Sequence, residues 1–285
     1  MGKKDKDVAG INSTAGKNNK NLSGSEKFDL YYSEIYGSRW PTLKEAMLCE
    51  SNPISLSENL ASPYYMDKAS ILAASILPIT ENNKVLDMCA APGGKTLVLA
   101  MKLNGTGKLV ANDRSAQRRT RLAKVINSCL SEDLRQNITI TGHDSTTWSL
   151  YEKDIYDCVL LDAPCSSERH VLTDLSALSI WSPSRPKHLA IQQFAMLAAA
   201  LDAAVDGGYI LYSTCSINPV ENELVIEKLC KKRSGLFEEV SIEEISPQVA
   251  SVSEKRPHGR IILPDSYASC GPLYFCLLKK LGKTI

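Results

Sequence analysis

Between Lys84 and Tyr212 the chain alternates short apolar runs with longer segments of helical periodicity. The apolar runs are Lys84–Met88, Lys108–Ala111, Ile138–Thr141, Tyr156–Leu161 and Tyr209–Tyr212. Strands that alternate with helices form a parallel sheet that is covered by helices on both faces. The continuous apolar run Tyr156–Leu161 is typical of a strand buried on both sides. We therefore predict an α/β fold with a doubly wound, mostly parallel sheet.

The two ends of the chain differ from this pattern. Arg260–Leu263 and Leu273–Leu278 are apolar runs with too little chain between them for a helix, which predicts an antiparallel hairpin at one edge of the sheet. Residues 26–80 show helical spacing and predict a short helical N-terminal segment. Residues 1–25 are rich in Lys, Asn, Gly and Ser and predict a disordered tail. Residues 81–285 are then the main domain.

The charge of the chain is balanced overall but uneven locally. The 33 basic and 32 acidic residues give a net charge of +1, which by itself does not indicate a nucleic-acid partner. Residues 114–135, however, carry five Arg and one Lys against two acids. Binding to nucleic acid depends on such local contacts rather than on the total charge. Arg114, Arg118, Arg119 and Arg121 could form an RNA-facing patch or a solvated helix face.

No apolar run is long enough for a membrane span, and the N-terminal residues contain no apolar core of a secretory signal. We expect a protein without a membrane association. The expected location is the cytoplasm, with the mitochondrial matrix as the alternative.

The nine cysteines fall into two groups. No two of them form a C-x-x-C pair, and their spacings match no zinc or disulfide framework, so we expect free thiols and no metal. Five of them are predicted to be small buried apolar residues: Cys49, Cys129, Cys158, Cys230 and Cys276. Cys165 and Cys215 instead follow strands, in the polar turns D-A-P-C-S and Y-S-T-C-S.

The turn after the first strand has the sequence D-M-C-A-A-P-G-G-K-T. It is not a nucleoside-triphosphate loop, because Cys89 stands where that motif needs its first glycine, and it lacks the dinucleotide fingerprint. An acid follows each of the first four strands: Asp87, Asp113, Asp144 and Asp162. An acid after the second strand suits ribose hydroxyls, and one after the third can accept from an adenine amino group. This layout suits S-adenosylmethionine, although each Asp could also merely cap the following helix.

The two turn cysteines lie at the same edge of the predicted sheet as these acids, because parallel strands end together. A thiolate can attack C6 of cytosine, which makes C5 reactive enough to accept a methyl group. Asp162 could hydrogen-bond the exocyclic amine and N3 of the base. The second thiol could help resolve the adduct. The residues alone do not decide which of Cys165 and Cys215 attacks.

The three motifs, including Y-S-T-C-S-I-N-P-V-E-N-E, resemble the signature motifs of the Nol/Nop/Sun family of RNA (cytosine-5) methyltransferases over about residues 26–285. The resemblance implies a Rossmann-like methyltransferase sheet and S-adenosylmethionine as the cofactor. It implies that Cys215 is the nucleophile, that Cys165 aids product release and that Asp162 faces the base. The residues that it implies in cofactor binding are Cys89, Ala90, Ala91, Pro92, Gly93, Gly94, Lys95, Asp113, Arg118, Asp144 and Asp162.

One branch of this family is more similar than the others. Arg169-His170 and the C-terminal H-G-R-I-I-L-P resemble the branch that acts on mitochondrial small-subunit ribosomal RNA. Met66 departs from the Gln that most of the family has there, and Asp144-Ser145 replaces an Asp-Gly pair. We expect no separate RNA-binding domain beside the fold, because residues 26–80 are too short for one. The expected partners are therefore RNA, ribosomal RNA or a ribosomal particle above all, and a targeting protein, with the chain itself a monomer.

Three other functions are alternatives to methylation of cytosine in ribosomal RNA. The chain could be a ribosome-assembly factor that keeps the fold without catalysis, although both thiols are present. Transfer RNA could replace ribosomal RNA as the substrate. A DNA cytosine methyltransferase is disfavoured, because Glu221-Asn222-Glu223 follows the wrong cysteine for that class and no long recognition insert is present.

Overall fold

A computed structural model describes residues 22–267 and 270–282. Most of the predicted disordered tail lies outside these residues. Gly24 and Ser25, which were assigned to that tail, belong instead to the first helix. The helix begins there because Ser23 and Glu26 form a capping box in which each side chain accepts from the other's backbone N–H.

The N-terminal segment contains three helices and one small hairpin. Its elements are α1 (Gly24–Tyr36), a 3₁₀ turn (Gly37–Arg39), α2 (Trp40–Leu48), β1 (Ile54–Leu56), β2 (Tyr64–Met66) and α3 (Lys68–Ser75). The antiparallel pairing of β1 with β2 corrects the purely helical prediction for residues 26–80. Three-residue strands are too short to show an alternating pattern in the sequence. Phe28 and Tyr32 of α1 pack on Trp40 of α2 in the core.

The central part of the chain forms the parallel half of the sheet. Its strands are β3 (Lys84–Asp87), β4 (Lys108–Asn112), β5 (Ile138–Thr141), β6 (Tyr156–Asp162) and β7 (Ala204–Thr214). Its helices are α4 (Gly94–Leu103), α5 (Ala116–Cys129), α6 (Glu132–Arg135), a 3₁₀ helix (Ser145–Leu150), α7 (Glu168–Thr173), α8 (Leu175–Ser179) and α9 (Ser184–Ala203). The predicted strands agree with β3 to β6 to within one residue.

The C-terminal part completes the sheet. It consists of α10 (Glu223–Lys232), β8 (Phe237–Glu239), α11 (Ile242–Ile245), α12 (Pro247–Ser251), β9 (Glu254–Lys255), β10 (Arg260–Ile262) and β11 (Leu273–Lys280). The strand order is β5-β4-β3-β6-β7-β11-β10-β9, and β8 also pairs with β11. Strands β3 to β7 are parallel, whereas β11 is antiparallel to both β7 and β10. The structure confirms the mostly parallel sheet with antiparallel C-terminal strands.

The sheet is buried on both faces. Leu86, Val159 and Ile210 belong to the hydrophobic cluster on one side, and their strand neighbours Leu160 and Leu211 belong to the cluster on the other. Successive side chains of a strand point to opposite faces, so helices on both sides are needed to cover them. None of the described helices has the length and apolar character to cross a bilayer.

Three sequence predictions need correction in this part. Asn218-Pro219 is typical of an N-cap and first helical residue and predicts a helix from there. The helix begins only at Glu223, because residues 218–222 form a turn whose polar side chains are buried. Gly207-Gly208 predicts the end of the preceding helix, but that helix already ends at Ala203 and Gly207 lies within β7. Cys49 is exposed and Cys230 is half-buried, whereas the other three cysteines predicted to be buried are buried.

Candidate active site

The candidate site lies where the parallel strands end. Because β3 to β7 are parallel, their carboxyl ends meet at one edge of the sheet, where ligands bind in open α/β folds. A cleft with about 500 Å³ of empty space opens there. It is lined by Tyr64, Met66, Ser70, Asp87, Cys89, Ala90, Ala91, Pro92, Gly94, Lys95 and Asp162. Of the predicted cofactor residues, Gly93, Asp113, Arg118 and Asp144 are not part of this lining.

The glycine-rich loop lets the backbone approach the cleft closely. Gly93 adopts a φ of +124°, which a residue with a side chain rarely adopts. A Cβ on Gly94 would lie 2.9 Å from Cε1 of Tyr64 and 3.1 Å from Cε of Met66. Glycine at both positions therefore allows α4 to begin directly against β2.

Asp87 at the end of β3 is fully buried with one carboxylate oxygen unpaired. Its Oδ2 accepts a hydrogen bond from Thr96 Oγ1 at 2.7 Å, whereas Oδ1 has no hydrogen-bond partner. Burial raises the pKa of Asp87 to about 7, and the Asp162 carboxylate adds to the increase, while the Thr96 hydrogen bond opposes it. Burial also raises the pKa of the neighbouring Cys89 thiol, so that this cysteine stays protonated.

Asp113 and Arg118 lie beside the cleft and support the loop. Oδ1 of Asp113 accepts from the Ser115 backbone N–H at 2.9 Å, and Oδ2 accepts no hydrogen bond although it lies 3.2 Å from the Arg118 guanidinium. Arg118 also donates to the Ala91 carbonyl at 2.5 Å. The arginine thus links the glycine-rich loop to the end of β4.

Asp144 has the geometry of a helix cap. Its Oδ1 accepts from the backbone N–H and the hydroxyl of Thr146 at 2.9 and 2.8 Å, and its Oδ2 pairs with Arg114 at 3.2 Å. The backbone and side-chain hydrogen bonds of Thr146 hold the pKa of Asp144 below its usual value. The capping alternative accounts for these contacts, and a cofactor role of Asp144 stays a prediction.

Lys95 and Asp162 form an ion pair inside the cleft. Lys95 Nζ lies 2.7 Å from Asp162 Oδ2 and 3.3 Å from Ser70 Oγ. Burial acts to lower the pKa of Lys95, but the Asp162 carboxylate acts to raise it and the net change is upward. Asp162 Oδ1 also accepts from Ser213 Oγ at 2.9 Å, two residues before Cys215. Asp162 therefore connects the cleft with the cysteine segment.

The two turn cysteines face each other. Their Sγ atoms are 3.1 Å apart, and Ser167 Oγ lies 3.2 Å from the Cys215 sulfur and 3.6 Å from the Cys165 sulfur. The hydrogen bond from Cys165 lowers the pKa of Cys215 and that from Ser167 adds to the decrease, which outweighs the opposing effect of partial desolvation. The same hydrogen bond, together with burial, raises the pKa of Cys165 well above its usual value. Of the two thiols, Cys215 therefore has the lower pKa.

Two buried acids behind the cysteines were missed by sequence reasoning. Glu168 and Glu221 have no exposed surface and contact the serines that follow the two cysteines. Neither acid is among the predicted site residues, although Glu221 lies within the motif Y-S-T-C-S-I-N-P-V-E-N-E. The available signal was the Cys-Ser pair repeated in both motifs, each followed by an acid within six residues.

Further motif residues have structural contacts. Asp67 caps α3 through the Ala69 N–H at 2.8 Å and accepts from the Gly271 N–H at 3.0 Å. Arg169 donates to the carbonyls of Gly271 and Cys49, both at 2.6 Å. These contacts join the N-terminal segment to the C-terminal strands.

The aromatic and basic candidates outside the cleft also have partners within the protein. Trp148 and Trp181 could stack on a base by their chemistry, but both are buried in the core. His143 packs against Tyr151, with ring centroids 4.0 Å apart. Arg119 donates to the carbonyls of Asp113 and Arg114, so this arginine is turned toward the protein backbone.

Comparison with known proteins gives consistent matches. The family model for 16S rRNA methyltransferase RsmB/F matches residues 74–279. The 5-cytosine rRNA methyltransferase NSUN4 of Bos taurus is 35% identical over 237 residues, which cover 79% of this chain and 61% of that protein. Ribosomal RNA small subunit methyltransferase F of Escherichia coli O9:H4 (strain HS) is 33% identical over 196 residues, which cover 68% of this chain and 40% of that protein. The chain thus spans about three fifths of the length of the NSUN4 relative.

Solved structures show the same fold. A methyltransferase homolog protein from Pyrococcus horikoshii aligns with a TM-score of 0.67 at 20% identity and covers 91% of this chain and 100% of that one. NSun6 from Pyrococcus horikoshii with SFG aligns with a TM-score of 0.63 at 23% identity and covers 80% of this chain and 56% of that one.

Proposed function

The chain belongs to the family of 16S rRNA methyltransferase RsmB/F, and from this we propose that it transfers a methyl group from S-adenosylmethionine to C5 of a cytosine in ribosomal RNA. The observation that carries the proposal is the pair of thiols, 3.1 Å apart, of which Cys215 has a lowered and Cys165 a raised pKa. Cytosine C5 needs a nucleophile at C6 before it can accept a methyl group, and an ionised cysteine is suited to that task.

The residues at the cleft fit S-adenosylmethionine. Asp87 Oδ1 and Asp113 Oδ2 are buried acceptor atoms without a hydrogen-bond donor, at the two strand ends that flank the glycine-rich loop. Such orphaned acceptors are costly unless a ligand supplies the donors. We assign Asp113 to the ribose hydroxyls, and the absence of room for a Cβ at Gly94 supports close backbone approach by the ligand. When bound, S-adenosylmethionine supplies an electrophilic methyl group.

Cys215 is assigned the role of nucleophile. Its thiolate forms a bond to C6 of the cytosine, and the electron pair of the C5–C6 double bond moves so that C5 becomes nucleophilic. Cys165 keeps its proton during this step, because its pKa lies well above the usual value. The target base has to leave its stack to reach these residues, at a cost of a few kcal/mol.

Asp162 is assigned to the edge of the base. Its carboxylate can accept a hydrogen bond from the exocyclic amine of cytosine, which distinguishes cytosine from uracil. Lys95 and Ser213 hold this carboxylate from two sides, at 2.7 and 2.9 Å. A preorganised acceptor of this kind stabilises the activated ring without having to reorient during the reaction.

Cys165 is assigned to product release. After methylation the C5 proton leaves to a base, the bond between C6 and the Cys215 sulfur breaks, and its electron pair returns to that sulfur. Cys165 is the ionisable group nearest to the departing sulfur, at 3.1 Å, and can hydrogen-bond the thiolate as it forms. The product is 5-methylcytosine and the free enzyme.

The test is methylation in vitro by the full chain. The purified protein is incubated with labelled S-adenosylmethionine and either small ribosomal subunits or total transfer RNA from cells that lack the gene, and bisulfite sequencing maps any product. We expect one or a few ribosomal cytosines to be methylated, and Cys215→Ser to abolish the signal. Methylation of transfer RNA alone would overturn the substrate assignment. Cofactor binding without methylation of either RNA would favour an assembly factor instead.

We propose the cytoplasm as the site of this activity, with the mitochondrial matrix as the alternative. Fractionation of cells that express the tagged chain, with ribosomal proteins of each compartment as markers, distinguishes the two.

A further inference from the structure

A network of buried polar side chains lies directly behind the two cysteines. It consists of Glu168 and Glu221 together with Ser166 and Ser216, the serines that follow the two cysteines in the chain, and all four are buried. The Ser166 hydroxyl contacts Oε1 of both glutamates. The Ser216 hydroxyl lies 3.1 Å from Glu168 Oε1 and 3.0 Å from Glu221 Oε1. We call these four residues the cross-brace.

Each acid of the cross-brace accepts a hydrogen bond from the backbone of the segment that contains the other cysteine. Glu221, which follows Cys215, accepts from the backbone N–H of Ser166 at 2.9 Å. Glu168, which follows Cys165, accepts from the backbone N–H of Ile217 at 3.1 Å. Each carboxylate therefore fixes the main chain next to the other cysteine. Both contacts lie within two residues of the cysteines, whose sulfurs are 3.1 Å apart.

The cross-brace has more hydrogen-bond contacts than the two serine hydroxyls have protons to fill them. Each serine hydroxyl has a single proton, yet the two hydroxyls make four contacts with the facing Oε1 atoms of the glutamates. The two hydroxyls are also within 3.3 Å of each other. A proton on one of the two carboxyl groups supplies an additional donor. It also removes the repulsion between two buried negative charges.

No cation in the described part of the chain forms an ion pair with either acid. The remaining donors are neutral: Tyr32 donates to Glu168 at 2.5 Å, and Gln193 donates to Glu221 at 3.0 Å. The guanidinium of the adjacent Arg169 is turned away to two backbone carbonyls. Burial raises the pKa of Glu221 to about 7, and the Glu168 carboxylate adds to this increase. Burial and the Glu168 carboxylate therefore both oppose the loss of a proton from Glu221.

The titratable groups around the pair come from α1, β7 and the two cysteine segments. They are Tyr31, Tyr32, Tyr36, Tyr212, Cys165 and Cys215. The tyrosines are neutral phenols, because burial raises the pKa of each. Among these groups the Cys215 thiol, whose pKa is lowered, is the one whose ionisation competes with that of the glutamates near neutral pH, whereas the raised pKa of Cys165 keeps it protonated. Asp162 and Lys95 are the charged groups that act on Cys215 from the cleft.

We propose that Glu168 and Glu221 share one proton near neutral pH, and that they act as positioning residues which hold Cys165 and Cys215 together and control how readily Cys215 ionises. This inference rests on the proposed function, in which Cys215 is the nucleophile. Negative charge on Glu168 acts to raise the pKa of the Cys215 thiol, and charge on either acid acts to raise that of Cys165. A pair that keeps one proton has one negative charge instead of two, and thiolate formation is easier beside it.

Glu221→Gln is the variant that tests proton sharing. The amide imitates the protonated acid, because its oxygen can accept from Ser166 and Gln193 while its NH₂ group donates to the serine hydroxyls. The rate at which iodoacetamide alkylates Cys215, followed by peptide mass spectrometry from pH 5.5 to 9.5 without RNA or cofactor, reports the thiolate fraction. Wild type should give a broadened curve, since two coupled groups titrate. The variant should give a single-site curve with a lower midpoint and alkylation about threefold to tenfold faster at pH 8.

Glu223→Gln is the matched control. It removes an acid two residues further along the same segment, and Glu223 hydrogen-bonds neither serine of the cross-brace. Its alkylation curve should coincide with that of wild type. Glu221→Ala removes the acceptor for Ser166 as well, so this variant should show slower alkylation of Cys215 and loss of methyl transfer. If the alanine variant does not fold, the glutamine variant still decides the question.

The outcomes separate this inference from the proposed function. Identical alkylation curves for wild type and Glu221→Gln would refute proton sharing, even if the wild type methylates RNA. A shifted curve in Glu221→Gln supports it, even if the wild type methylates no RNA and the proposed function fails.

Discussion

Lys95 Nζ lies 2.7 Å from Asp162 Oδ2, so the glycine-rich loop after β3 and the end of β6 are joined by a half-buried ion pair inside the cleft. The family resemblance implies that Lys95, as part of the loop, binds the cofactor. The structure brings its ammonium to the residue assigned to the base. One lysine therefore connects the loop assigned to the cofactor with the side chain assigned to substrate recognition.

Replacement of Lys95 should impair catalysis more than cofactor binding. In Lys95→Ala the Asp162 carboxylate loses its cationic partner and its fixed orientation, so we expect methyl transfer to fall by about 100-fold or more. Single-turnover methylation and calorimetric titration with S-adenosylmethionine measure the two effects separately. Lys153→Ala, an exposed lysine outside the cleft, is the control. A loss of cofactor affinity that accounts for the whole decrease would contradict the role in holding Asp162.

The two cysteines should give opposite phenotypes. Cys215→Ser should form no covalent complex with RNA and no product, because a hydroxyl is a far weaker nucleophile than a thiolate. Cys165→Ala should form the complex but release it slowly, so a protein–RNA adduct should accumulate on denaturing gels. The double variant should form no adduct. An adduct that forms through Cys165 in the Cys215→Ser protein would reverse the assignment.

The buried Asp87 should make the protein less stable as the pH rises. Its pKa is about 7 in the folded protein against 3.8 for an ordinary Asp, so between these values the folded state holds a proton that the unfolded chain has released. The free energy of unfolding then falls by at most about 1.4 kcal/mol per pH unit, and the full penalty is present above pH 7. Asp87→Asn removes this penalty.

Urea denaturation at pH 5 and pH 8 measures this effect. We expect Asp87→Asn to gain stability relative to wild type on going from pH 5 to pH 8 and to bind S-adenosylmethionine more weakly at pH 8. An equal difference in the free energy of unfolding at both pH values would exclude an elevated pKa for Asp87.

An added methyl group at Gly94 should close part of the cleft. In Gly94→Ala the new Cβ would lie 2.9 Å from Tyr64 and 3.1 Å from Met66, and these side chains would have to move. Overpacking of this kind costs about 1–3 kcal/mol, which predicts a loss of about tenfold or more in affinity for S-adenosylmethionine. Tyr64→Ala in the Gly94→Ala background should restore part of the affinity. Equal affinities of the single and double variants would show that steric conflict is not the cause.

The central strands could be predicted closely because they are buried on both faces. β6 extends the predicted run by one residue to Asp162. The edge strand β5 is only half-buried, and it has the predicted bounds Ile138–Thr141. The β1–β2 hairpin was missed, since its strands have three residues each and mixed exposure. Local pattern therefore located the elements that bury continuous apolar runs and missed those held by tertiary contacts.

The candidate site was predicted in part. Residues 89–92, 94 and 95 of the glycine-rich loop line the cleft together, because they are nearly contiguous in the chain. The contact between Lys95 and Asp162 and the position of Glu168 could not be read from the sequence, since each depends on atoms that lie far apart along the chain. The start of α10 was misplaced for the same reason: Asn222 donates to the Ser216 carbonyl at 2.8 Å, which residues 218–222 can satisfy only as a turn.

The cross-brace couples the substitutions that two motifs far apart in the sequence can tolerate. A substitution that removes the acceptor at Glu221 leaves the N–H of Ser166 buried and unsatisfied 55 positions away. A substitution at Glu168 does the same to Ile217, 49 positions away. The two cysteine segments should therefore evolve together. A viable substitution at either glutamate is restricted to residues that still accept a hydrogen bond from the backbone N–H of the opposite segment.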